Sequence, residues 1–254
     1  MGGSSCSEEL QIIKASLKGN NVQEAVKRIK ALTCSTVPGV VVEEERDVIL
    51  NDIVEVAKMF QNESEFVILI NLLTWSLELL KRIEKETTCF QRLTEWGNLV
   101  AMATRSMRRN VMKTEIENHA LPFQQSLLAT IQAVNCDKGS AKKETEALCL
   151  YFLAGCDVAL ENNHQAEENC QMAILAMKDG CGDGMKKKAL TAAIYHINAV
   201  TNHEQNKFEA AIQQYTEAID VFVSSEDIGP EEKQQNIDVI NAWRQRATDR
   251  LPID

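Results

Sequence analysis

Along residues 206–222, apolar and small side chains fall at Phe208, Ala211, Ile212, Tyr215, Ala218, Ile219 and Phe222, in steps of three and four. That spacing stacks side chains along one helix face. Asn206 and Glu209 stand at capping-box spacing before it, as do Asn21 and Glu24, and Asn62 and Glu65. The stretch therefore reads as the second helix of a hairpin. Residues 185–203 supply the first, through Leu190, Ala193, Ile194, Ile197 and Val200. The same pattern predicts helices over 8–18, 22–32, from 43 to about 60, from 66 to about 85, 87–110, 141–161 and 165–178. A further helix over 111–135 breaks near Pro122, which has no N–H for the helical ladder. A last helix begins at Pro230 and buries Ile237, Ile240, Trp243, Ala247 and Leu251. The helix from Phe66 is apolar around most of its circumference and is expected at the centre of the N-terminal half. No segment reads as a strand. The expectation is an all-α chain of about 10–12 helices.

Between these segments lie loops at 34–42, around Pro38-Gly39, and at 179–184, the sequence DGCGDG. Residues 1–7 read as a flexible leader and 8–254 as one helical domain, with a possible subdomain boundary at the polar connector 136–140. Gly2 and Cys6 also fit a permissive acylation signal. Cys6 departs from the usual Ser or Thr, however, and no basic cluster follows, so lipidation and a membrane partner are disfavoured.

Composition narrows the partners. The 254 residues carry a formal net charge of −10, which sets nucleic acid aside. Eight cysteines without a CxxC pair, several in apolar helical positions, point to a reducing cytoplasmic setting with thiols used as small hydrophobes.

Residues 192–222 resemble a tetratricopeptide repeat, a helix–turn–helix unit of about 34 residues, and the likeness is clearest over 142–222. Phe208, Ala211, Ile212, Tyr215 and Ala218 stand where that family has aromatic, alanine, aliphatic, aromatic and alanine, with Ala199 as the small residue of the first helix. Residues 8–32 are similar through Val22, Ala25 and Ile29, and 150–176 through Ala154, Ala166, Cys170 and Ala173. Ala166 and Ala211 lie 45 residues apart, so the helices are longer than the standard unit, and 43–135 do not match the pattern. The resemblance implies a right-handed superhelix of stacked antiparallel helix pairs whose first helices line a concave groove. It implies partner contacts at Ala193, His196, Val200 and His203. The subclass that clamps acidic chaperone tails has lysine and asparagine at two of these places. Here they are His196 and Val200, which argues against that clamp.

Candidate chemistry is sparse. His196 and His203 share a helix face, but no carboxylate or thiol stands at ligand spacing beside them, so neither a metal nor a cofactor is expected. DGCGDG lacks the Lys-Ser/Thr of a phosphate loop and the closing glutamate of a calcium loop. The best polar constellation is Arg105, Arg108, Arg109 and Lys113, one basic stripe that could hold anionic groups or pair with Glu115 and Glu117. The sequence thus points to a non-enzymatic adaptor that holds a peptide or partner helix in a groove. The alternative is a phosphopeptide or anionic-ligand module using the arginine face.

Overall fold

The computed structural model describes residues 6–34, 43–83, 88–134, 139–180, 188–226 and 228–252. Nearly all are helical, and none of the described residues lies in a strand. The chain divides into two compact units, Met1–Thr130 and Ile131–Asp254.

The first unit contains α1 (Cys6–Lys18), α2 (Val22–Cys34), α3 (Glu43–Asn62), α4 (Phe66–Ile83), α5 (Thr88–Arg109) and the short α6 (Lys113–Glu115). A π-helical turn, Ile116–Ala120, then leads into α7 (Leu121–Ala133), which crosses the boundary. Cys6 and Ser7, expected in the leader, belong to α1, and the rest of that stretch, Gly2 included, lies outside the described residues. α4 buries Phe66, Leu69, Leu72, Leu73, Trp75 and Leu79 among others, as its all-round apolar character predicts. α3 packs on α1 and α4, and the π turn packs on α4 and α5. The break expected near Pro122 is present as a π-helical turn just before it. Pro122 follows the π turn, in which Leu121 donates to the Ile116 carbonyl five residues back, so the widened ladder absorbs the donor that proline lacks.

The second unit contains α8 (Gly139–Ala159), α9 (Asn163–Gly180), α10 (Lys188–Glu204), α11 (Phe208–Val223) and α12 (Pro230–Thr248). Each packs on the next, except that α12 closes the series against α11, and α10 also touches α8. Asp179 and Gly180 extend α9, so the loop expected at 179–184 starts no earlier than residue 181; residues 181–187 lie outside the described set. α12 buries Ile240 and Ala247 and turns Glu231, Gln234, Gln235, Asp238 and Gln245 to solvent.

One local structure recurs along the whole chain. At Asn20, Ser64, Val111, Glu161, Asn206 and Arg250 the backbone takes the left-handed conformation, at intervals of 44 to 50 residues. Each ends a helix in the same way. The amide after the left-handed residue donates to the carbonyl five residues earlier: Asn21 to Ser16, Glu65 to Phe60, Met112 to Met107, Asn162 to Asp157, Lys207 to Asn202 and Leu251 to Arg246, at 2.8–2.9 Å. This six-to-one bond satisfies a carbonyl the helix end would leave unpaired. Five residues after the first five stops stand Ala25, Leu69, Ile116, Ala166 and Ala211, and nine after stand Ile29, Leu73, Ala120, Cys170 and Tyr215. All ten are fully buried. Within 43–135, which do not match the tetratricopeptide pattern by residue type, the same turn and the same buried places recur after Ser64 and Val111.

The same turn corrects one capping assignment. Asn206 is the left-handed stop of α10, not the cap of α11, whose N-cap is Lys207 and lacks a side-chain bond. Asn21 does cap α2, accepting from the Glu24 amide at 3.3 Å, while Asn62 is the last residue of α3. Asparagine suits both a helix start and a left-handed stop, so residue type alone could not separate the two.

Ala211→Leu should overpack the α10–α11 seam and lower unfolding free energy by about 1–3 kcal/mol. Ala210→Leu on the exposed face should change it by less than about 0.5 kcal/mol, as read by urea denaturation of both variants.

Candidate functional site

The candidate groove residues sit on α10, and the repeated stop gives each a register position. Ala193, His196, Val200 and His203 lie thirteen, ten, six and three residues before Asn206. Three before the stop, a side chain on the last turn of a first helix faces its hairpin partner. In the second unit that place holds Val158, His203 and Ala247, all buried. His203 is therefore a core residue with 1 % exposure, which overturns its expected place on an open groove. Its ring meets Phe208 and Tyr215 edge-on, at centroid distances of 5.7 and 6.1 Å. Nε2 lies 2.7 Å from the Leu251 carbonyl oxygen, which can only accept, so this nitrogen carries the proton in the neutral ring. Nδ1 then accepts from the Tyr215 hydroxyl at 3.3 Å. Burial, with the charge of Glu204 adding to it, pushes the Tyr215 phenol above its ordinary value.

His203 thereby ties the chain after α12 to the α10–α11 turn. Arg246 donates from Nε and Nη2 to the Pro252 carbonyl at 2.9 and 2.7 Å. Arg250 pairs with Glu209 at 3.0 Å and lies 6.0 Å from the centroid of the Phe208 ring. Both Arg250 and Glu209 are exposed, so the buried histidine is the stronger tie.

Val200 is also buried, whereas Ala193 and His196 are half-exposed. The His196 ring sits 5.1 Å from that of Trp243 on α12 and 6.1 Å from Tyr215 on α11. Of the four expected contact residues, Ala193 and His196 thus keep surface open to a partner. The stop register adds residues that sequence reading missed. Thirteen before their stops, Leu148 on α8 and Ile237 on α12 occupy the place of Ala193, and Tyr151 on α8 occupies that of His196. All three are half-exposed. The signal was present in the 45-residue offset between Ala166 and Ala211, which carries 193 back to 148.

A second polar feature lies beneath this face. Asp157, 2 % exposed, accepts from Asn169 Nδ2 at 2.8 Å, and Asn202 Nδ2 donates to Gln214 Oε1 at 3.1 Å. These cross-helix pairs hold equivalent places, four before and eight after a stop. Burial raises the Asp157 carboxyl to about 6, against the opposing pull of its bonds to Asn169 and Asn162. Burial also pushes the Cys170 thiol up to about 12 and holds that of Cys149 higher still. Such thiols are protonated near neutral pH and serve as apolar filling.

Arg105, Arg108, Arg109 and Lys113 are all exposed, on the last turns of α5 and the first residue of α6. Glu115 is half-buried and Glu117 exposed nearby in sequence. Cys6 is half-buried on α1, its thiol raised to about 11 by burial and then by Asp52. His164 is exposed and 3.5 Å from Glu168; His119 lies in the π turn. Among the described residues, no three His, Cys, Asp or Glu side chains converge where they could hold a metal ion. Nor is any described helix long and apolar enough to cross a membrane. Comparison with protein-family models gives no match, and neither does comparison with curated proteins.

Two measurements test the buried groups. Asp157 binds its proton more tightly folded than unfolded, so its contribution to stability is fully present below about pH 4 and is lost as pH rises through about 6. Asp157→Asn keeps an oxygen for Asn169 to donate to. It should flatten that decline and raise the melting temperature at pH 7, as followed by thermal melts from pH 4 to 7. His203→Ala should cost about 2 kcal/mol and speed amide hydrogen exchange at residues 249–252, because the Leu251 carbonyl loses its buried donor.

Proposed function

We propose that this protein is a non-enzymatic interaction module of tetratricopeptide-like architecture, holding a peptide or partner helix along its first helices. The observation that carries the reading is the row of half-exposed side chains at one register position of successive first helices: Leu148, Ala193 and Ile237. Tyr151 and His196 lie one helical turn further on, and Glu144 and Lys233 one turn before. Short apolar side chains with an aromatic and a histidine beside them suit an extended or helical ligand. Such a ligand is recognised by a few alternate side chains and needs no chemistry. The equal spacing of the stops supports the row, because hairpins built on one turn present equivalent positions to the same side. The buried thiols of Cys149 and Cys170 fit a reducing, cytoplasmic setting.

The binding face is accordingly narrower than the sequence implied. His203 and Val200 support it from beneath, and the contacts fall to Ala193, His196 and their counterparts on α8 and α12. Ala193→Arg should reduce capture of a bound protein from cell lysate at least about tenfold, while the melting temperature moves by less than about 2 °C. Undiminished capture by a folded Ala193→Arg variant would remove this row as the site.

A further inference from the structure

The six left-handed stops share one geometry but not one chemistry. Five are polar: Asn20, Ser64, Glu161, Asn206 and Arg250. The sixth is Val111, with a φ of 58°. A β-branched side chain is the least suited of all to this conformation, because its Cβ substituents crowd the neighbouring carbonyl. Val111 gains no compensating burial: it is 78 % exposed, the most exposed large hydrophobic residue among those described. A strained and solvent-facing valine at a hairpin tip is thus unexplained by the stability of the fold.

Its surroundings supply a reason. From Trp96 to Thr114 the chain carries Arg105, Arg108, Arg109 and Lys113 and no carboxylate. Met102, also exposed, shares an α5 stripe with Arg105 and Arg109 at helical spacing. The acidic excess lies mainly elsewhere: residues 131–254 hold 20 carboxylates against 12 lysines and arginines. Glu95, Glu115 and Glu117 flank this stretch, and all four cations are exposed at the end of α5 and the start of α6.

We propose that the α5–α6 hairpin tip docks on an anionic lipid bilayer, with Val111 and Met102 entering the headgroup region and the four cations meeting lipid phosphates. Cations alone would suit a phosphopeptide equally well. The exposed apolar tip among them selects a surface that offers anionic groups above an apolar layer. This commits to a bilayer among the anionic ligands that the sequence allows for the arginine face, although the absence of a basic segment after Cys6 had disfavoured a membrane partner at the N-terminus. It stands independently of the groove on the second unit.

The test is sedimentation of the full-length protein with vesicles of phosphatidylcholine alone and with about 30 % phosphatidylserine. Binding should require phosphatidylserine and disappear near 0.5 M salt, on the order of the concentration at which surface charges are screened. Combined Arg105→Gln, Arg108→Gln and Arg109→Gln replacement should lower partitioning at least about tenfold. The decisive variant is Val111→Asn. Asparagine accepts the left-handed conformation, so this protein should melt at the same or a higher temperature, yet bind the vesicles about threefold to tenfold more weakly. Failure to bind phosphatidylserine vesicles would overturn the proposal. So would undiminished vesicle binding by Val111→Asn, or a multiply phosphorylated peptide bound equally by that variant and the parent in place of vesicles.

Discussion

The fold depends on one way of ending a helix. A single residue turns left-handed, the next amide reaches back five residues, and the chain is aimed into a second helix that starts at a fixed phase. Because the turn fixes that phase, the fifth and ninth residues after each of the first five stops are carried inward whatever they are: alanine, leucine or isoleucine at the fifth, and isoleucine, leucine, alanine, cysteine or tyrosine at the ninth. Side-chain identity can then drift while the packing register persists. Conformational cost is kept low by placing asparagine, serine or charged residues at most of the stops, where a long exposed side chain or a short polar one loses little. Val111 is the position where this economy fails.

The interiors of the two units solve packing differently. In the first, the bulk of α4 fills space with leucine, isoleucine, phenylalanine and tryptophan on nearly every side. In the second, Ala166, Ala173, Ala192, Ala199, Ala211 and Ala218 bring backbones close, and Tyr215 fills the volume they leave. Close approach also brings polar side chains together in low-dielectric surroundings. Asp157 with Asn169, Asn202 with Gln214, and His203 with Tyr215 and the Leu251 carbonyl are three such encounters. Each satisfies groups whose isolation would cost more than the bond contributes. They give the alanine-rich second unit directional ties beside its apolar packing.

The same register sorts functional candidates from structural ones. Three residues before a stop is interior in the second unit, and thirteen before is half-open on all three of its first helices. A histidine therefore means different things ten and three residues from the turn. His196 stacks beside Trp243 with part of its surface open, and His203 is sealed beneath the chain that follows α12. Charge is partitioned as well. The basic hairpin tip lies in the nearly balanced first unit, and the acidic surplus in the second, so net charge by itself described neither face.

Much of the helical pattern was legible from residue spacing alone, since apolar steps of three and four state which side of a helix faces inward. The helix boundaries, the proline at the start of α12 and the central burial of α4 followed from that, as did the hairpin of α10 and α11. What spacing could not state was which of two roles an asparagine plays at a helix junction, because residues 62 and 206 satisfy the local preferences of both. Nor could it reveal that the turns at Ser64 and Val111 share the geometry of those in the rest of the chain, since the likeness lies in backbone hydrogen bonds and buried register, not in side-chain type. The fate of His203 was likewise decided by tertiary structure. A histidine on a helix face is compatible with solvent or core, and only the return of Leu251, 48 residues later, brings the carbonyl that accepts its Nε2–H.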